Sequence, residues 1–229
     1  MKFCITVCVI ILSATIASAQ NEAIQDALDD IIQDINKLHS NNDTFKVPYK
    51  GMKYEKRFTI FVLSYELALK EIQIQGVYTH LRRVKPIQVN ELVDGLYVIR
   101  TELVTGPLKF ESEGVFEALG MSSTYDWKGD IYFVKMPITL HFNAHSSSLT
   151  VRHLLVDEVQ GVSVSLEGRR SWWITNVIRN AVVGLAAGQF SSTLKDPIES
   201  LVIDELKEKF ASHGKWQEVI KQFKRADDA

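Results

Sequence analysis

The stretch FTIFVLSYELALKEIQIQG, from Phe58 to Gly76, determines the fold class. Its apolar residues recur at every second position, which is typical of β-strands with one buried face. The alternation changes phase near Ser64 and near Lys70. We interpret both changes as bulges or bends, which long strands in a strongly curved sheet need.

Further strands are predicted after this stretch. Asp94-Gly95 is a hairpin turn signal between Leu92 and the segment Tyr97–Ile99. The other alternating segments are Thr101–Leu103, Leu108–Phe116, Ile131–Phe142, Leu149–Leu155 and Val162–Leu166. Together these strands predict a long antiparallel meander.

Helical patterns lie on either side of the meander. From Asn21 onwards, apolar residues at spacings of three and four indicate an amphipathic helix: Ile24, Leu28, Ile31, Ile35 and Leu38. After Ser171, a predicted N-cap, a second helix is apolar over most of its circumference. Two shorter helices are expected around Ile198–Phe210 and after Gly214. We therefore predict an α+β fold, in which one long curved antiparallel sheet wraps around N- and C-terminal helices in an elongated single domain, residues 20–229.

The first 19 residues predict export. Lys2, an apolar run from Phe3 to Leu12, and Ala17-Ser18-Ala19 have the layout of a secretory signal peptide. Cleavage at residue 19 would remove Cys4 and Cys8, the two cysteines of the chain. We expect a secreted, extracellular protein that is held together by its core without disulfides.

The charge balance and the apolar runs exclude two classes of partner. Without Lys2, 25 of the 26 basic residues remain against 28 acidic ones, which argues against a nucleic-acid binder. The segment Trp172–Phe190 comes closest to a membrane span, but it carries Arg179 and several amides. We therefore do not expect an integral membrane protein.

No motif of covalent or cofactor chemistry stands out. Gly161-Val162-Ser163-Val164-Ser165 lacks the second glycine of a nucleophile elbow, and no phosphate or dinucleotide loop is present. His141, His145 and His153 are too widely spaced for a shared metal unless the chain turns sharply. We expect ordinary surface or turn histidines, no catalytic residue, no metal and no cofactor, and so not an enzyme.

Two basic clusters and a glycosylation sequon are candidate surface sites. The clusters Arg82-Arg83, with Lys85, and Arg169-Arg170 are either solvated loops or contacts for anionic lipid headgroups. Asn42-Asp43-Thr44 is a sequon in a polar stretch, so Asn42 is a candidate glycosylation site.

One region resembles a known family. Glu66-Leu67, Ile72-Gln73-Ile74-Gln75-Gly76 and Arg83-Val84 resemble the mite group 7 allergens, as do the Asp94-Gly95 strand start and the placement of helices at both ends. The close match covers about Tyr65 to Val84. The resemblance implies an arthropod protein with one half of the bactericidal permeability-increasing fold, a superfamily of tubular lipid-binding domains that includes takeout and juvenile-hormone-binding proteins. Those hormone carriers typically have an N-terminal disulfide, which this chain cannot form.

The pattern and the resemblance both predict a non-enzymatic binder of hydrophobic or amphipathic, lipid-like ligands. Such a ligand would lie between the inner face of the sheet and the long C-terminal helix. The alternative is a binder of bacterial lipid headgroups through the basic loops, and ordinary core packing is the alternative for each apolar candidate. The predicted lining residues are Leu67, Leu69, Ile74, Phe110, Phe116, Phe133, Trp173, Val177, Ile178, Leu185 and Leu201.

Overall fold

The computed structural model describes residues 21–48, 52–57, 62–93, 95–118, 121–167 and 193–227. The described helices are α1 (21–38), α2 (Lys195–Ser212) and α3 (Gly214–Asp227). In chain order the described strands are β1 (Thr44–Pro48), β2 (Met52–Arg57), β3 (Val62–Gln75), β4 (Arg82–Arg83), β5 (Gln88–Val93), β6 (Leu96–Thr105), β7 (Leu108–Ala118), β8 (Met121–Ile131), β9 (Phe133–Asn143), β10 (Ser148–Leu154), β11 (Glu158–Gln160) and β12 (Ser163–Glu167). The predicted α+β class is confirmed.

The strands form two antiparallel sheets of six strands each. Sheet one has the order β1-β3-β7-β8-β12, and β2 also pairs with β3. Sheet two has the order β10-β9-β6-β4, and β11 and β5 pair with β9 and β6. The meander therefore divides between two sheets, because the chain leaves sheet one after β3 and again after β8.

The two bulges or bends predicted in β3 have different outcomes. The register between β3 and β7 shifts between Leu69 and Ile72, which confirms the bulge near Lys70. Near Ser64, β2 and β3 pair without interruption from Val62 to Leu67, so no bulge lies between these two strands there. A change in hydrophobic phase reports which face is covered, and it need not add a residue to the ladder.

The residues on either side of Asp94 confirm the hairpin between β5 and β6. Asp94 itself lies outside the described residues. Val93 pairs with Leu96, and Gly95 has a φ of +70°, a conformation that L side chains rarely adopt. A Cβ at Gly95 would also overlap the imidazole of His145 in the turn between β9 and β10. The positive φ of the turn favours glycine here, and a larger residue would also displace the His145 ring.

One hydrophobic core joins both sheets and the described helices. From α1 it contains fully buried residues at the predicted spacing, among them Leu28 and Ile31. The α2 residues Ile198, Val202, Leu206 and Phe210 form a second buried stripe. These helices cover the buried rows of the strands, such as Val134, Met136, Ile138, Leu140 and Phe142 of β9.

Asp43 joins the end of α1 to the loop that follows β3. Its Oδ2 atom accepts hydrogen bonds from the backbone N–H of Tyr78 at 2.9 Å and from the N–H and hydroxyl of Thr79, both at 2.7 Å. The Asp43 carbonyl also accepts from the N–H of Gly76. A single buried acidic residue therefore fixes the path of this loop.

Tyr78 connects the same loop to α2. Its hydroxyl donates to the carbonyl of Leu201 at 2.8 Å, and its ring lies 4.2 Å from that of His39. His39 Nε2 is in turn 3.2 Å from a carboxylate oxygen of Glu205. Burial raises the pKa of Tyr78, and the nearby carboxylates of Glu205 and Asp43 raise it further.

Candidate ligand-binding groove

A groove of about 270 Å³ lies between β10, α2 and α3. It is lined by Ser147, Leu149, Thr150, Val151, Lys207, Phe210, Ala211, Trp216, Gln217 and Ile220. The first four come from β10 and the turn before it, and the others come from the two helices. The lining residues of the strand and those of the helices are thus more than 50 positions apart in the chain.

The break between α2 and α3 shapes the wall of the groove. His213 has an extended backbone (φ −77°, ψ 123°), which ends α2 and redirects the chain into α3. The imidazole of His213 lies 3.3 Å from Asp34, and Lys215 pairs with Asp30, so α3 is tied to α1. As a result the ring of Trp216 returns to 5.1 Å from that of Phe210.

The opposite wall is the outermost part of sheet two. Leu149 pairs with Phe142 and Val151 with Leu140, both buried residues of β9. Because paired residues in an antiparallel ladder face the same side, Leu149 and Val151 face the helices. Both are half-buried, so their remaining surface is available to a ligand.

The chemistry of the lining favours an apolar ligand. Its apolar lining consists of the half-buried Leu149 and Val151 and the buried Phe210, Trp216 and Ile220, with the exposed Ala211. Lys207 is the one charged residue among the ten that line it. Apolar walls with a few polar groups are the usual composition of small-molecule sites. None of these ten residues carries a carboxylate, which would repel an anionic group.

A larger concavity of about 430 Å³ has the opposite character. It lies over β3, β7 and β8 and is lined by Glu71, Gln73, Glu111, Ser112, Glu113, Asp126, Trp127 and Lys128. Four of these eight residues are acidic, and Glu71 also pairs with Lys46 at 2.9 Å. This composition disfavours both an acyl chain and an anionic headgroup, so the smaller groove is the better candidate.

The structure brings only part of the predicted lining together. Ile74 and Phe110 are paired on β3 and β7, and both are buried within the core. Leu67 pairs with Phe116 and Leu69 with Gly114 on the same two strands, where the structure describes their backbone only. Phe133 lies in sheet two and Leu201 on α2, apart from this group.

The remaining predicted lining residues, one basic cluster and the proposed signal peptide lie outside the described residues. They are Trp173, Val177, Ile178 and Leu185, the cluster Arg169-Arg170, and residues 1–19.

The other basic cluster is divided by its contacts. Arg82 is exposed, but Arg83 forms a two-pronged ion pair with Asp29 of α1, with N···O distances of 2.8 and 2.6 Å. A third nitrogen of Arg83 donates to the carbonyl of Lys85. Contact between Arg83 and a headgroup would therefore require the loss of a helix-to-strand ion pair.

Asn42 is exposed at the turn after α1, which makes the sequon accessible. His141 is half-buried on β9, whereas His145 and His153 are exposed. In the described ranges, no three histidine, cysteine or acidic residues are arranged to hold a metal ion. No described helix is long and apolar enough to cross a bilayer.

Sequence reasoning missed the groove. The alternation of Leu149 with Val151 and the apolar positions Phe210, Trp216 and Ile220 were visible, but each pattern indicated only a buried face. That the three faces meet at one place follows from the direction that α3 takes after the break at His213. Gly214 predicted the break, but no local pattern specifies the direction.

Comparison with known proteins supplies no family. No family model matches the chain, and no curated protein matches it. Among solved structures, the chain is similar to one described as lipopolysaccharide binding protein, with a TM-score of 0.40 and 11% identity. The match covers 87% of this chain and 38% of that one, so this chain spans well under half of the length of its structural neighbour.

Proposed function

We propose that this protein is a secreted, non-enzymatic binder of hydrophobic or amphipathic, lipid-like ligands. The observation that carries the proposal is the apolar groove between β10, α2 and α3. The resemblance of Tyr65–Val84 to the mite group 7 allergens, and through them to tubular lipid-binding domains, points to the same class of ligand.

The size of the groove limits the ligand. At about 30 Å³ for a group of the size of a water molecule or a methylene, 270 Å³ holds about nine such groups. Each buried methylene contributes about 0.8 kcal/mol, and the cost of association offsets part of the sum. We therefore expect one short acyl or terpenoid chain, bound with micromolar to millimolar affinity.

A substitution that fills the groove tests the site. Ala211 is exposed on α2 and lines the groove, so Ala211→Trp should occupy the space with little effect on folding. Ser200→Trp is the matched control, because Ser200 is exposed on the same helix and lies about 16 Å away along its axis. Displacement of an apolar fluorescent probe by decanol would measure binding.

We expect decanol to displace the probe from the wild type and from Ser200→Trp, but not from Ala211→Trp. Equal displacement from all three proteins would show that the groove is not the site. Native mass spectrometry of protein from its natural source would identify a co-purified ligand. Binding that requires a charged headgroup and collapses at high salt would instead favour the basic surface loops.

A further inference from the structure

We infer that the groove selects single-chain amphiphiles with a compact anionic head group, and that Lys207 recognises that group. This inference rests on the proposed function, because it specifies the ligand of the same groove.

The position of Lys207 is the first observation. It is exposed on α2 and contributes to the lining one turn before Phe210 and Ala211. A ligand's acyl chain that lies against the apolar walls therefore ends near the ammonium group of Lys207. The long lysine stem can follow the apolar surface while its Nζ atom remains in water.

Lys207 has no salt-bridge partner among the described residues. Asp204 lies one turn away and Glu208 is adjacent on the same helix, yet no ion pair forms between Lys207 and any described residue, whereas Lys37, Lys46, Lys85, Lys135 and Lys215 each have one. The other polar side chains of the lining are the neutral ones of Ser147, Thr150 and Gln217. These can donate hydrogen bonds to an anion, and none of them competes with it for the lysine.

The second observation is the distribution of acidic residues. The other concavity carries four carboxylates, and α1 carries Asp26, Asp29, Asp30 and Asp34, but the groove lining contains none. In a chain with more acidic than basic residues, an apolar groove with one cation and no carboxylate complements an anionic amphiphile and disfavours a cationic one.

A series of ten-carbon probes tests the inference at pH 8 and low salt. Decanoate and decyl phosphate carry the anion, decanol is neutral and decyltrimethylammonium is cationic. We expect both anions to bind the wild type about three- to fivefold more tightly than decanol, the gain typical of an exposed ion pair. We expect the cation to bind most weakly. The ratio of the two anions then identifies a carboxylate or a phosphate as the preferred head group.

Lys207→Gln should abolish the preference, so that both anions bind this variant no more tightly than decanol does. Lys109→Gln, an exposed lysine on β7 in sheet one, is the control and should retain the preference. Raising the salt concentration should reduce the preference in the wild type, because exposed charges are screened.

The two proposals fail in different ways. If decanol and the anions bind equally well to the wild type and to Lys207→Gln, the head-group inference is wrong and the groove remains a lipid site. If Ala211→Trp retains the binding of decanol, the proposed function of the groove is wrong as well.

Discussion

Asp43 joins the turn after α1 to the loop that follows β3. Its side chain is almost fully buried and accepts three hydrogen bonds from two consecutive residues, Tyr78 and Thr79. A buried acceptor of this kind matters mainly through the donors that its removal would leave unpaired. The loop from Gly76 to Leu81 therefore depends on one carboxylate.

Replacing Asp43 with alanine should lower the free energy of unfolding by about 2–4 kcal/mol, since two backbone N–H groups lose their acceptor. Asp157→Ala, at an exposed position, should change it by less than about 0.5 kcal/mol. Urea unfolding of unglycosylated protein measures both variants. Equal losses would mean that the Asp43 hydrogen bonds do not hold the loop.

Tyr78 should make stability depend on alkaline pH. Its pKa is raised in the folded state, so its contribution is complete below the unfolded pKa of about 10 and is lost as the pH rises above that value. The unfolding free energy of the wild type should therefore fall more steeply above pH 10 than that of Tyr78→Phe.

At neutral pH, Tyr78→Phe should cost only about 0.5–1.5 kcal/mol, the net value of its hydrogen bond to Leu201. Parallel curves for the two proteins above pH 10 would contradict the burial of this phenol.

Arg83 shows why single residues of a site are hard to predict. Its neighbours Arg82 and Lys85 suggested a basic surface cluster, but its partner Asp29 lies 54 residues earlier in the chain. Nothing local distinguishes an arginine that faces solvent from one that faces a helix. Successive residues of β4 point to opposite sides of the strand. Arg82 is therefore exposed, while Arg83 pairs with Asp29 of α1.

At the scale of elements, α1 is the clearest case of a pattern that specifies its own structure. Ile24, Leu28, Ile31 and Ile35 are all fully buried. Leu38 continues the same spacing but is 60% exposed, because the helix ends there and the chain turns towards Asp43. The periodicity predicted which face of α1 is buried, but it could not show at which residue the packing against that face ends.

The two leucines of α1 allow a matched test. Leu28→Ala should lower the free energy of unfolding by about 2–5 kcal/mol, as for other large-to-small core changes. Leu38→Ala, the same substitution at an exposed site, should change it by less than about 0.5 kcal/mol. Chemical denaturation followed by circular dichroism distinguishes them, and similar values would show that α1 does not pack as described.

Strand β8 shows the opposite case. Its sequence MSSTYDWKGDI is polar and contains Gly129, so no strand was predicted before Ile131. It forms because β7 pairs with it along its whole length, from Leu108 with Ile131 to Ala118 with Met121. Pairing with a strong neighbouring strand outweighs weak local propensity. Gly129 itself is needed where the ring of Phe110 crosses the strand.

The same limit applies to the groove. Its walls belong to three elements whose apolar faces were each predicted in part, but their meeting point is set by long-range packing. Sequence periodicity therefore predicts which residues are buried better than it predicts where a concavity remains between them.

For the whole molecule, the proposed loss of residues 1–19 leaves a chain without cysteine. We expect the mature protein to begin at Gln20 and its urea midpoint to be the same with and without dithiothreitol. N-terminal sequencing of secreted protein and paired denaturation curves measure this. Retention of residues 1–19, or a midpoint that falls on reduction, would contradict the proposed processing.

The sheet edges also bear on how copies of the molecule behave at high concentration. One edge of sheet one is split between β1 and β2, and the edges of sheet two are split between β10 and β11 and between β4 and β5. The opposite edge of sheet one is β12, which has only five residues. Among the described strands, no long unpaired backbone is therefore offered to a second copy. Short and interrupted edges are a known protection against strand-to-strand aggregation, which the proposed secreted carrier would need.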